Sequence, residues 1–334
     1  MFKHVIMAVA IFAPVCHALA NDSMSELAAG GLVMLKTNDV AMQREDLYLS
    51  EKEVRIQYKM RNDTGRSITS RVAFPFPEVP HNTPSGYATS TGGYNIPFQS
   101  LNDPNFLRFS VAVNGVTIRP EVEIKAMLNG KDIASNLLAI GGYSLVLQPG
   151  EFMSDERPMA ENVKLQLKSI GAFEAIDDII YKLPWTTYIT YHWLQTFDPG
   201  VTKIEHRYQP IMGRHLVAFQ KGRPIEITGV KNSDSFYCID SSMERKLRRL
   251  AKHQKDGGVL FANSLGYILK TGGNWAGQRI ENFKLTIDAS QNTQITSLCT
   301  DLPLVRTGKN KFTSEVKYYE PKENLNIIFI RSAP

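Results

Sequence analysis

The sequence predicts a mainly β protein, two antiparallel β-sandwich-like domains with short helical insertions. Three observations carry that reading. Apolar and polar residues alternate with period two in several stretches, Gly- and Asn-containing turns punctuate them, and only a few runs repeat at three or four residues. The composition suits a folded chain of this kind, with 43% of 334 residues hydrophobic and 21% charged.

The first twenty residues stand apart. Lys3 and His4 precede the apolar run "VIMAVAIFAPV", and Ala18 and Ala20 place small residues at both cleavage-determining positions. This is the pattern of a secretory signal peptide cleaved after Ala20, at residues 1–20. The run is much shorter than the roughly 20 apolar residues that a membrane-spanning helix needs. Val15 precedes Cys16 where a lipid-modification signal has a small residue, so the mature chain is expected to be soluble and periplasmic.

Export changes the reading of the cysteines. Loss of the leader removes Cys16 and leaves Cys238 and Cys299 in an oxidising compartment. Two cysteines allow one intramolecular bond, and two separate buried thiols are the alternative. A bond here would close a loop worth about 4 kcal/mol in the chain-entropy model. The formal charge of +5 becomes +4 without Lys3. That mild excess tolerates an anionic envelope surface but is far from the concentrated basic face of a nucleic-acid binder.

The mature chain opens with "NDSMSELAAGG", where Ser23 and Glu26 have capping-box spacing, so a short helix is expected there. In "EVRIQYKMRNDTGRSITSRVAFPFP" the residues Val54, Ile56, Tyr58 and Met60 alternate with polar ones, Asn62 to Gly65 form a turn, and residues 68–76 return as a second strand. Pro75 and Pro77 end that strand or confine it to an edge. Residues 77–105 are rich in Pro, Gly, Ser and Thr and read as a long loop, the best binding-surface candidate of the front half. Asn114-Gly115 sits between two strand-like runs and predicts a hairpin. These elements form the first domain, residues 21–129.

Residues 130–184 change character, and "KDIASNLLAI" and "AFEAIDDIIYKL" read as short helices in a connector. Strands return in the second domain, residues 185–334, including 188–197, 201–208, 216–219, 225–228 and 235–239. One basic helix follows at residues 241–256, with capping-box spacing from Ser241 to Glu244 and Gly257-Gly258 beyond its end.

Several of these stretches resemble a family of exported bacterial proteins, domain of unknown function 4424. They are "SELAAGGLVMLKTNDVAMQREDLYLS", "AFPFP", "TFDPGVTKIEHRYQP", "FYCID" and, most specifically, "TGGNWAGQRIENFKLTID". The resemblance runs from Asn21 to about Arg331. It implies export and a β architecture, and it brings no activity or catalytic residue. The family's motif carries proline after Gly277, where this chain has Gln278, so the turn there is expected to differ.

Generic catalytic signatures are missing. "FANSLG" has Ala262 where a nucleophile elbow begins with glycine, which argues against Ser264 as a nucleophile. There is no P-loop, no H-E-x-x-H, no paired C-x-x-C and no G-x-G-x-x-G, so neither cofactor nor metal is expected. Three histidines, His192, His206 and His215, fall in or near "TTYITYHWLQTFDPGVTKIEHRYQP". Read as a hairpin around Asp198-Pro199-Gly200, this stretch has two registers. A three-residue loop sets His192 opposite His206, a ligand-like pair. A four-residue loop sets Trp193 opposite His206 and gathers Tyr191, Trp193, Phe197, Ile204 and Tyr208 on one face. Burying those rings favours the second, which makes His206 a core residue and no metal ligand.

Two features remain as candidate binding residues. Arg245, Arg248, Arg249 and Lys252 give the basic helix a cationic face, either simply solvated or set against lipid phosphates or an acidic partner. Trp275, in a glycine-rich turn, is expected at the surface, where its ring could stack on a sugar. The function expected is that of a non-enzymatic periplasmic binding or accessory protein with an envelope protein or glycan as partner and peripheral contact with an anionic membrane. The alternative is a hydrolase or glycan-binding protein acting on envelope polymers, with Asp198 or Glu205 in the site.

Overall fold

A computed structural model describes residues 23–28, 31–81, 92–95, 105–147, 159–176, 181–219, 225–228, 230, 232–253 and 260–332. In chain order the front strands are β1 (Ser23–Ala28), β2 (Gly31–Leu35), β3 (Val40–Ser50), β4 (Val54–Asn62), β5 (Ile68–Pro75), β6 (Val79–Pro80) and β7 (Gly92–Asn95). Next come β8 (Ser110–Val113), β9 (Val116–Ile118), β10 (Glu121–Leu128), β11 (Lys131–Asp132), the helices α1 (Ala134–Leu147) and α2 (Glu161–Ser169), and the short pair β12 (Glu174–Ala175) and β13 (Tyr181–Lys182). The remainder holds β14 (Thr186–Phe197), β15 (Gly200–Tyr208), β16 (Met212–Ala218), β17 (Glu226–Ile227), α3 (Ser233–Phe236), α4 (Ser241–Lys252), β18 (Leu260–Tyr267), β19 (Ile280–Asp288), β20 (Ile295–Leu298), β21 (Val305–Arg306), β22 (Lys311–Tyr319) and β23 (Leu325–Ser332).

The mainly β class is what the structure has. Three large sheets form. A seven-stranded sheet runs β11-β10-β14-β5-β1-β2, with β6 also on β14. An eight-stranded sheet runs β21-β22-β19-β3-β4-β15-β8-β9, and a six-stranded one runs β17-β16-β18-β23-β20 with β7 also on β16. All described pairings are antiparallel except β3 with β19, which run parallel. The expected division into domains at residues 21–129 and 185–334 is not how the strands pair. β14 lies between β10 and β5, β15 between β4 and β8, and β19 beside β3, so both larger sheets mix strands from the two halves. Period-two patterning fixes which residues turn inward, but it carries no record of which distant strand supplies the neighbour.

The sheets meet in one large core. Phe74, Tyr191 and Trp193 of the seven-stranded sheet and Tyr58 and Tyr208 of the eight-stranded sheet belong to the same buried cluster, as do Leu265, Tyr267, Ile327 and Phe329 of the six-stranded sheet. The other face of the six-stranded sheet, with Leu260, Ala262, Ile328 and Ile330, packs a smaller cluster against Leu247 and Ala251 of α4. Strand β23 is therefore buried on both faces, which is why "NIIFI" reads as a nearly continuous apolar run. A bulge between Met42 and Arg44 switches the inward face of β3. Beyond it Glu45 points into the core and accepts a hydrogen bond from Tyr267 Oη at 3.2 Å.

Several local expectations are corrected. Residues 23–28 are a strand, pairing β2 on one side and β5 on the other, where capping-box spacing suggested a helix. The stretch 235–239 is not a strand, since α3 occupies its start. "AFEAIDDIIYKL" contributes β12 and β13 at its described ends and no helix there. Within 77–105, β6 and β7 are short strands, and residues 82–91 and 96–104 lie outside the described ones. The basic helix ends at Lys252, and its N-cap is Asp240, whose Oδ1 accepts the Met243 N–H at 2.7 Å. Gly257 and Gly258 lie outside the described residues.

The Asn114-Gly115 hairpin forms as expected, with φ of 49° and 82° at the two turn residues joining β8 to β9. Gln278 takes φ 54°, in the left-handed region that a proline ring forbids. Cys238 and Cys299 form the expected disulfide, with Cα atoms 5.1 Å apart.

Candidate functional site

The turn at Asp198-Pro199-Gly200 does not close a ladder. β14 and β15 enter different sheets and face each other through the core. Trp193 still meets His206, with ring centroids 5.3 Å apart, because residues on facing sheets meet as directly as residues on adjacent strands. His206 also stacks on Phe109 at 5.2 Å and lies edge-on to Tyr58 at 5.4 Å. His192 points to the outer face of the seven-stranded sheet, where its Nδ1 lies 2.8 Å from an Arg71 nitrogen. A guanidinium can only donate, so Nδ1 accepts and the ring is neutral there. Burial pushes His192 below its usual range, against a partial rise from Glu121. Among the described residues no group of three or more His, Cys, Asp or Glu side chains is placed to hold a metal. Nor is any helix there long and apolar enough to cross a membrane.

Of the sequence-derived binding residues, Trp275 is buried, 1% exposed, with its ring edge-on to Phe197 at 5.9 Å. It cannot offer a face to a sugar. The turn that follows it, Gly277 to Arg279, is exposed, but the indole itself turns inward and joins the main core. Arg245, Arg249 and Lys252 are exposed on α4, whereas Arg248 pairs with Glu244 at 2.6 Å. The acids Asp198 and Glu205 do not converge. Asp198 accepts from Ser67 Oγ at 2.7 Å at the end of the sandwich, and Glu205 faces outward mid-strand on β15.

The structure brings together two arrangements that motifs did not reveal. The first is a groove of about 510 Å³ across the outer face of the eight-stranded sheet. Strict alternation builds it: Leu47, Ile56 and His206 turn into the core, so Asp46, Tyr48, Arg55, Gln57, Glu205 and Arg207 turn out. Lys284 and Thr286 of β19 and Ser110 of β8 extend it to either side. Arg55 Cζ lies 4.1 Å from the centre of the Tyr48 ring, and Tyr48 Oη donates to Asp288 Oδ2 at 3.1 Å. Burial, reinforced by that bond to Asp288, raises the Tyr48 phenol, so it remains a donor at neutral pH. Asp46 is engaged by Arg44 at 2.8 Å. The sequence signal for this groove was present in the alternation of β4 and β15, but only the pairing of β3, β4, β15 and β19 sets those outward residues side by side.

The second is a serine–histidine contact on the six-stranded sheet. His215 Nδ1 lies 2.8 Å from the Thr228 carbonyl oxygen, and its Nε2 lies 2.8 Å from Ser264 Oγ. The carbonyl can only accept, so Nδ1 carries the proton, Nε2 accepts, and Ser264 donates. Burial lowers His215, partly offset by the Thr228 bond, which keeps the ring neutral at ordinary pH. Gly213 opposite Ser264 makes the contact possible, since a Cβ there would collide with both Ser264 Oγ and His215 Nε2.

A family model described as "Domain of unknown function (DUF4424)" matches residues 20–328. The chain belongs to the DUF4424 family. Among solved structures, this DUF4424 protein is similar to a candidate nutrient binding protein from Legionella pneumophila, at 13% identity and a TM-score of 0.45, over 93% of this chain and 70% of that one. It is more distantly similar to native LTA4 hydrolase from yeast, at 9% identity and a TM-score of 0.22, over 89% of this chain and 30% of that one. Both likenesses are too remote to assign an activity. No curated protein matches this DUF4424 chain.

Proposed function

We propose that this protein is a non-enzymatic binding or accessory module of the bacterial periplasm, whose contact surface is the groove on the outer face of the eight-stranded sheet. The observation that carries this reading is the groove itself, a concave surface of about 510 Å³ lined by three cations, two acids, a tyrosine and several neutral hydrogen-bonding side chains. Such a lining suits a polar partner that exchanges hydrogen bonds and charge contacts, an envelope protein or a glycan. The N-terminal leader pattern and the Cys238–Cys299 bond support an oxidising, exported setting. The exposed cations of α4 add a second surface suited to an anionic membrane face.

A hydrolase is the second reading, favoured by the Ser264–His215 contact. It ranks lower because acyl transfer needs donors aimed at a developing oxyanion. Ser264 lies on β18, an interior strand whose backbone is engaged by β16 on one side and β23 on the other.

A photoreactive residue placed at Gln57 in the groove, compared in intact cells with one at the exposed Leu194 of the seven-stranded sheet, tests the ranking. Specific adducts from Gln57 and none from Leu194 are expected. Identical adducts from both positions, or none from Gln57, would remove the groove from consideration. Labelling of Ser264 by a fluorophosphonate, lost in His215→Gln, would put the hydrolase first.

A further inference from the structure

Arg55 and Arg207 stand directly opposite each other on β4 and β15, both on the outer face. Like charges in opposed positions destabilise a sheet, so this pair is a cost to the fold unless something neutralises it. Glu53 does half of that. Its Oε2 lies 3.1 Å from Arg55 Nε and its Oε1 lies 3.2 Å from Arg207 Nε. Two guanidiniums against one carboxylate leave one positive charge over.

The geometry leaves that charge presented to the groove. Glu53 is ion-paired with both arginines on their Nε side, with no hydrogen bond to Arg55 Nε, and neither arginine makes a hydrogen bond to another described side chain through its terminal nitrogens. The Arg55 guanidinium lies over the Tyr48 ring, and Tyr48 is in turn anchored to Asp288. A guanidinium paired with a carboxylate on its inner side and lying over a ring leaves its outer fork for a ligand, and that fork matches the oxygens of a carboxylate or phosphate. Of the groove's two acids, Asp46 is occupied by Arg44 at 2.8 Å, and Glu205 stands one row away, opposite Gln57. Glu205 would repel a second negative group, so the groove suits a ligand with one anionic end seated on the arginines.

We propose that Arg55 and Arg207 form an anion-binding subsite at the Glu53 end of the groove, which takes a phosphate or carboxylate group of the ligand. This rests on the groove being the contact surface and names the chemistry of what binds there. Isothermal titration of the full chain with inorganic phosphate and with acetate, against chloride at matched ionic strength, tests it. The two arms tell a phosphate ligand from a carboxylate one. Saturable binding of one anion per chain is expected, about tenfold weaker in each of Arg55→Gln and Arg207→Gln and unchanged in Lys203→Gln on the same face. Without anion, Arg207→Gln is expected to unfold at an equal or higher temperature than the wild type, because the like-charge pair is gone. Absence of saturable binding by either anion, equal binding in wild type and both arginine variants, or a lowered midpoint in Arg207→Gln would overturn the subsite. If the Gln57 adducts persist in that case, the groove stands and the anion site alone falls.

Discussion

Burial sets the charge state of three histidines, and one of them has a readable consequence for stability. His81 Nε2 lies 3.0 Å from Thr187 Oγ1, whose hydroxyl bonds the Val146 carbonyl at 2.6 Å, and the imidazole tilts over Trp185. Burial pushes His81 down to about 3, against a smaller rise from the Val146 carbonyl. In the unfolded chain the same ring takes up a proton near about 6.5. The unfolded state therefore binds the proton first, and stability is full above that value and falls as the pH drops from about 6.5 towards about 3. Between pH 6.5 and pH 5 the loss from His81 is at most about 2 kcal/mol, reduced by whatever water reaches the ring. His192 and His215, also lowered by burial, add in the same direction. Urea unfolding at pH 7.5, 6 and 5 is expected to give a steeper decline for the wild type than for His81→Gln. Identical slopes would show that His81 is not held neutral by the fold.

At the scale of elements, turn chemistry was readable and turn partners were not. Asn114-Gly115 gave its hairpin because a two-residue left-handed turn admits little else. Asn62 to Gly65 and Asp198 to Gly200 have equally good turn residues, yet each carries the chain from one sheet to another. Asn62 shows what local reading misses: its Nδ2 donates to the carbonyls of Arg66 and Phe197, tying both crossings together. β3 was hidden for a different reason, since the bulge after Met42 breaks the alternation that marks a strand. The groove shares that obscurity because β3 supplies Asp46 and Tyr48 to its lining. Trp275 was misplaced because glycine marks a turn and says nothing of what lies above it. Helix α4 was legible almost whole, and its cap can be tested. Leu247 and Ala251 are buried against the six-stranded sheet, so its apolar side is already used and any membrane contact must be electrostatic. Asp240 accepts the Met243 N–H and the Ser242 hydroxyl, and those bonds lower its carboxyl. Asp240→Ala is expected to lose the stability that the N-cap contributes, read as a fall in the denaturation midpoint. Asp240→Ser should recover most of it. No change in either variant would mean that α4 is held by its packing alone.

The whole molecule is one interleaved unit, and that has a consequence for how it folds and unfolds. A chain cut after residue 129 keeps β3 and β4 but loses β15 and β19, their neighbours on either side. It keeps β5 and β10 but loses β14, the strand that joins them. The exposed edges would show Phe74, Ile56, Tyr58 and Leu47 to water, side chains worth roughly 1.5 to 3 kcal/mol each when buried. A fragment with that many open edges has little to offset its chain entropy. The fragments 21–129 and 185–334 are therefore each expected to lack a cooperative transition when expressed alone, although sequence periodicity drew a boundary between them. The intact chain is expected to unfold with coincident changes in far-ultraviolet circular dichroism and tryptophan fluorescence, because Trp185, Trp193 and Trp275 all lie in the shared core. A cooperative transition in either isolated fragment, or two separated transitions in the intact chain, would restore two independent domains. The sheets themselves argue against it, since the strand that completes each larger sheet comes from the other half of the chain.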